Sequence, residues 1–168
     1  LKEVQPEVAA QCMLDSGAAL ADRDANPVFY VSSSPWNLHH FLDTIFAQAG
    51  LPKGPMFLRD LGISETQFIS GTHGDHKGAA IDAILNANPG LSFVLIGDTG
   101  QHDAEVYRDA ARRRPGQIRA VALRQPGKRP DRASRAAMAE IEADGIPLFA
   151  APTFAGAAER IGTGLPTD

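Results

Sequence analysis

The chain has 168 residues, 43% of them hydrophobic and 21% charged, with a formal net charge of −4. This is enough for a single domain spanning 1–168 with a hydrophobic core, while no apolar run approaches the ~20 residues of a membrane span and no signal-peptide pattern opens the chain. Cys12 is the only cysteine, which excludes an internal disulfide and fits a reducing, cytoplasmic setting.

The elements follow in a regular alternation. Pro6 suits a helix onset, and "VQPEVAAQCMLDSGAAL" reads as helical to about Leu20. "PVFYVS" is a short buried strand. In the following "SPWNL", Ser34 is the expected N-cap and Pro35 the first helical residue. Leu38, Phe41, Leu42, Ile45, Phe46 and Ala49 then mark one helical face, with Gly50 as the stop. "PMFLRD" is a second strand, "HKGAAIDAILNA" a helix ended by Asn88-Pro89-Gly90, and "LSFVLIGD" a third strand. The helix "DAEVYRDAARRR" and the strand "IRAVAL" come next. A helix to Asp144, the strand "PLFAA" and a last helix capped by Thr153 complete the series. This order predicts an α/β fold with a parallel sheet covered on both faces by helices.

Charge is uneven along this series. Residues 1–111 hold 6 basic and 14 acidic side chains, whereas 112–135 hold 9 basic ones and the single acid Asp131. Arg112, Arg113 and Arg114 close a predicted helix, where cations suit the dipole. The rest of the block (Arg119, Arg124, Lys128, Arg129, Arg132, Arg135) reads first as a solvated face, with an anionic partner such as a membrane surface as the alternative. No nucleic-acid partner is expected.

Parallel sheets of this kind bind ligands beyond the carboxyl ends of their strands. The first strand in the list above ends in Ser32-Ser33-Ser34, the third runs into "GDTGQHD", and Lys77 opens the helix before it. Ser32, Lys77, Asp98 and Asp103 should therefore converge on one rim. A hydroxyl and an ammonium suit phosphoryl oxygens, and carboxylates suit Mg²⁺.

In order, "NPVFYVSSSPWNL", "LPKGPMFLRDLG", "HKGAAIDAIL", "FVLIGDTGQHDAEVY" and "RRRPGQIRAVALR" resemble the catalytic domain of the actin-patch-type phosphatidate phosphatases, of the haloacid-dehalogenase superfamily. The resemblance runs from about Asn26 to Arg124 and weakens beyond. It implies a three-layer, Rossmann-like sheet and an Mg²⁺-dependent phosphatase working through an aspartyl-phosphate. Ser32 then corresponds to the residue that hydrogen-bonds the phosphoryl group and Lys77 to the lysine that neutralises it. Asp98 corresponds to the Mg²⁺ ligand, with Asp103 supporting the metal site. Ser33, Trp36, Asn37, Gln101 and His102 fall at the site's periphery. The implied partner is a phosphorylated lipid or a small phosphate ester.

The superfamily's nucleophile and its general acid/base lie in a D-x-D-x-T motif after a central strand, and this sequence contains none. Asp22-Arg23-Asp24 has the spacing, but Asn26 stands in the Thr place and no apolar strand precedes it. With Leu1 as its first residue, the chain is expected to be N-terminally incomplete, missing the first, central strand between 28–32 and 93–97. Taken alone it is expected to be inactive. Two alternatives stand beside this reading: a non-catalytic phosphate- or partner-binding relic of the same fold, and a phosphatase of soluble esters. His73-x-x-His76 lacks the further ligands of a zinc site and reads as loop.

Overall fold

The computed structural model describes residues 27–59, 73–127 and 129–162. The expected N-terminal helix, Cys12, Asp22, Asp24, Asp60 and Lys128 lie outside them. The described elements are β1 (Tyr30–Pro35), a 3₁₀ turn (Trp36–Leu38), α1 (His39–Gln48), β2 (Met56–Arg59), α2 (His73–Ala87), β3 (Phe93–Asp98), α3 (Asp103–Arg113), β4 (Ile118–Arg124), α4 (Arg132–Ala143), β5 (Leu148–Ala151) and α5 (Ala157–Gly162). None of the described helices is long and apolar enough to cross a membrane.

All described strand pairs are parallel, but they form two pieces, β1-β2 and β3-β4-β5. β4 is the centre of the larger piece. Its Val121 and Leu123 point to one face, where they pack with Leu85, Tyr107, Ala110, Met138 and Ile141 from α2, α3 and α4. Ala120 and Ala122 point to the other, against Phe149, Phe154 and Ile161. Helices thus cover both faces of the sheet, as the alternation predicts. Val31 of β1 packs on the first of these clusters. The rings of Phe29 and Phe93, at the starts of β1 and β3, lie 6.1 Å apart, so the two sheet pieces begin side by side.

Several boundaries move for identifiable reasons. The strand expected to end at Ser32 runs on to Pro35, and neither Ser34 nor Pro35 opens the helix as expected. Pro35 occupies the cap position before the 3₁₀ turn, with ψ 149° and no side-chain cap bond. The residue before a proline is pushed out of the helical region, and Ser34 is held extended by its own N–H donating to Ser32 Oγ at 3.1 Å. α1 does end at the glycine, Gly50 adopting φ +69°, but its apolar face is nowhere fully buried. α2 begins at His73, so both histidines of the expected loop lie in its first turn. The last helix starts at Ala157, too far on for Thr153 to cap it.

The basic block is not one face. α3 runs back from the carboxyl ends of the strands to their starts, carrying Arg112–Arg114 to the edge where Arg119 enters β4. There Arg112 pairs with Glu140 and Asp144, Arg113 pairs with Asp82, and Arg114 bonds Asn86. Arg124, Arg129, Arg132 and Arg135 lie at the opposite edge.

Within β3, the N–H of Phe93 and the N–H of Thr99 just beyond it bond to the carbonyls of Gln117 and Arg124. Alternation then turns Leu95 and Gly97 toward β4 and Val94, Ile96 and Asp98 away from it. Among the described strands none pairs with that outer edge. Hydrogen exchange followed residue by residue should therefore show the Val94 and Ile96 amides exchanging at least about tenfold faster than those of Leu95 and Gly97. Equal protection would mean that a further strand already pairs with β3.

Candidate active site

At the carboxyl end of β3 the chain turns through Thr99–His102 into α3, which starts at Asp103. The turn is tied down by Asp98 Oδ1, which accepts from the Gly100 N–H at 2.7 Å. His102 sits at φ 61°, a left-handed conformation uncommon outside glycine. Its Nδ1 lies 3.2 Å from Glu105 Oε1 one turn into the helix.

Asp103 then points back across the strand end. One carboxylate oxygen receives Lys77 Nζ at 2.6 Å, and the other accepts the Asp98 N–H at 3.1 Å. That N–H is one of the groups β3 turns away from β4, so Asp103 stands in for a neighbouring strand. Tyr107, one turn along α3 on the same side, does the same for a carbonyl, donating to Ile96 O at 2.8 Å. Both side chains pass over Gly97. A Cβ there would lie 2.4 Å from Asp103 Oδ2 and 2.6 Å from the Tyr107 hydroxyl, so this strand position has room only for glycine.

Lys77 and Asp103 are 8% and 5% exposed. Burial pushes the Asp103 carboxyl above its ordinary pKa, against the opposing pull of the Lys77 ammonium and the Asp98 N–H. Ionised Asp103 is thus harder to hold in the fold than in the unfolded chain, and its contribution to stability declines as pH rises between the two values. Lys77 also donates to Gln101 Oε1 at 3.3 Å, and His76 beside it has a buried Nε2 with no hydrogen-bond partner among the described residues.

Of the expected site residues, Lys77, Asp98, Gln101 and Asp103 are joined by direct hydrogen bonds. Ser32 is not. It lies on β1, its Oγ donating to Ser34 Oγ at 3.0 Å, and no hydrogen bond among the described residues links it to the Lys77–Asp103 pair. Ser33 follows on the same strand; Trp36 and Asn37 form the turn after it, Trp36 stacking on His39.

Two places could hold a cation. Asp98 keeps one carboxylate oxygen without a partner among the described residues, at the rim, whereas both oxygens of Asp103 are engaged. Mg²⁺ is held by one or two carboxylates with waters filling its shell, so Asp98 fits as its ligand and Asp103 as a brace. Separately, His102, Glu105 and Asp131 bring one ligand atom each within 4.8 Å of one another. The second group went unread in the sequence because Asp131, the N-cap of α4, lies far along the chain. Tyr107 was missed as well, although its i, i+4 spacing from Asp103 places both on one helical face.

The described fold is α/β with parallel strands, and the end of β3 carries a buried lysine–carboxylate pair beside a carboxylate with one oxygen unpartnered among the described residues. The chain belongs to the phosphatidate phosphatase APP1 catalytic-domain family, whose model matches residues 2–125 and so extends the resemblance upstream of Asn26. Over 96 residues, 57% of this chain, it is 35% identical to phosphatidate phosphatase APP1 of Saccharomyces cerevisiae, and the match covers 16% of that protein. No solved structure matches.

Replacing Gly97 with Ala should drive Asp103 and Tyr107 off the strand edge and cost about 1–3 kcal/mol in urea unfolding, the usual range for overpacking. A change below about 0.5 kcal/mol would show that the two side chains do not depend on this gap.

Proposed function

We propose that the rim is the phosphate-binding part of an Mg²⁺-dependent phosphatase of the haloacid-dehalogenase type, acting on phosphatidate or a closely similar lipid phosphate. The observation that carries this reading is the Lys77 ammonium, buried at the strand ends and fixed by Asp103 beside the available oxygen of Asp98. Family membership supports it.

In this reading the Ser32 hydroxyl donates to one non-bridging phosphoryl oxygen, and Lys77 neutralises the charge that develops on the others. Asp103 acts through Lys77, holding its ammonium at one point. Asp98 would hold Mg²⁺ through its unpartnered oxygen; bound there, the ion supplies charge stabilisation to the phosphoryl oxygens. The paired aspartates that attack phosphorus and move the proton are assigned to a D-x-D-x-T strand seated between β1 and β3. The outer edge of β3, unpaired among the described strands, favours that place, since buried parallel strands need partners on both sides.

A phosphate-binding relic without turnover is the competing reading. Phosphate release from dispersed phosphatidate separates the two. The 168-residue chain should release none at any Mg²⁺ concentration. The same chain preceded by a D-x-D-x-T strand should turn over, and Lys77→Ala should lower its kcat by at least about a hundredfold. An extended chain that binds phosphate but stays inactive would favour the relic. Turnover by the 168 residues that is lost on Asp22→Ala or Asp24→Ala would overturn the assignment of the nucleophile.

A further inference from the structure

Two kinds of exposed side chain lie just past the carboxyl ends of described strands, one after β1 and the other after β4. On the β1 side, Trp36 is 57% and Phe41 60% exposed, with Leu38 exposed between them. They occupy the 3₁₀ turn and the first turn of α1, a helix with no buried residue. The Trp36 ring stacks only on His39 among the described aromatic rings, with centroids 4.9 Å apart. On the β4 side, Arg129, Arg132 and Arg135 are exposed in the connection to α4 and its first turn. No described acid forms an ion pair with any of the three, although Arg135 donates to the Pro130 carbonyl. At the other edge Arg112 and Arg113 are paired, and Arg119 is exposed without a described ion pair.

Large apolar side chains left in water are unfavourable by their area, and a group of them beside a site marks a contact surface. Tryptophan is suited to the boundary between headgroups and acyl chains, and unpaired cations are drawn to anionic lipid. A bilayer suits this combination near a site for a lipid phosphate, since its acyl boundary takes up the aromatic and aliphatic groups and its phosphates the cationic ones. We propose that this edge docks on an anionic phospholipid bilayer. Trp36, Leu38 and Phe41 enter the headgroup–acyl boundary, and Arg129, Arg132 and Arg135 lie over lipid phosphates. The inference rests on reading the site as one for a lipid phosphate, and it assigns the route by which that lipid is reached.

Trp36 is the only tryptophan in the chain, so its emission reports on the patch directly. Vesicles of phosphatidylcholine and phosphatidylserine in equal parts contain no phosphatidate, which separates docking from recognition in the site. With them, the emission should shift to the blue and be quenched by lipids carrying a nitroxide high on the acyl chain. Phosphatidylcholine alone should give no shift. Affinity should fall more than about tenfold in Arg129→Glu/Arg132→Glu/Arg135→Glu or on adding high salt. Leu38→Ser/Phe41→Ser should abolish the quenching with the far-UV circular dichroism unchanged. Excess glycerol phosphate should leave docking intact.

An emission maximum indifferent to anionic vesicles overturns the proposal. So does an emission that is already blue in buffer and shielded from acrylamide, since another part of the chain or a second copy would then cover the patch. Displacement by glycerol phosphate would reduce the contact to the site itself. Docking on phosphatidate-free vesicles without any phosphatase activity in the extended chain would leave this inference standing and remove the enzymatic reading.

Discussion

The ammonium of Lys77 is buried where β3 ends, and it must be neutralised there. Asp103 does this with one oxygen and with the other takes up the N–H that Asp98 turns away from the sheet. A single carboxylate therefore fixes the start of α2 against the start of α3 and both against the strand. Removing one partner of such a buried pair typically costs about 3–5 kcal/mol, because the other charge is left without compensation. The arrangement is possible only because Gly97 has no side chain to obstruct it.

The two edges of the sheet divide the charges between structure and chemistry. At the strand starts, Arg112 and Arg113 tie α3 to α4 and α2, and Gln117 Nε2 donates to the Leu85 and Asn88 carbonyls at the end of α2. Exposed ion pairs of that kind contribute little individually, but they hold α3 against α2 and α4, while Arg119 at the same edge is exposed without a described ion pair. At the carboxyl ends, Asp98 keeps an oxygen without a described partner, and Arg129, Arg132 and Arg135 enter no described ion pair. Polar groups thus remain available where ligands of parallel sheets bind.

Much of this is legible in the sequence because the alternation of strands and helices forces strand ends to one edge. Lys77, Asp98 and Asp103 are expected there from their places before and after the strands, and hydrogen bonds join them. The failures have specific causes. Pro35 satisfies the rule for a first helical residue, yet its effect on Ser34 prevails and the strand continues. The periodic face of α1 reads as core, but Phe41 and Leu38 remain exposed, since periodicity specifies a face without specifying what covers it. The basic block is continuous in sequence and divided in space because α3 and β4 run in opposite directions. The part played by Tyr107 and Gly97 depends on a tertiary approach, for which the only advance signals are a glycine inside a strand and an i, i+4 pair. Ser32 is expected at the same rim, and on β1 its Oγ donates to Ser34 Oγ, with no hydrogen bond among the described residues to the Lys77–Asp103 pair.

The central claim is that Ser32, Lys77 and Asp98 enclose one phosphate position. The most direct test is a crystal structure of the chain with tungstate, a heavy analogue of phosphate located by its anomalous signal. The account predicts a tungstate within hydrogen-bond reach of both Lys77 Nζ and Ser32 Oγ, on the Asp98 side of the strand ends. Tungstate bound only elsewhere, or Ser32 found at the opposite end of the sheet from Asp98, would contradict it.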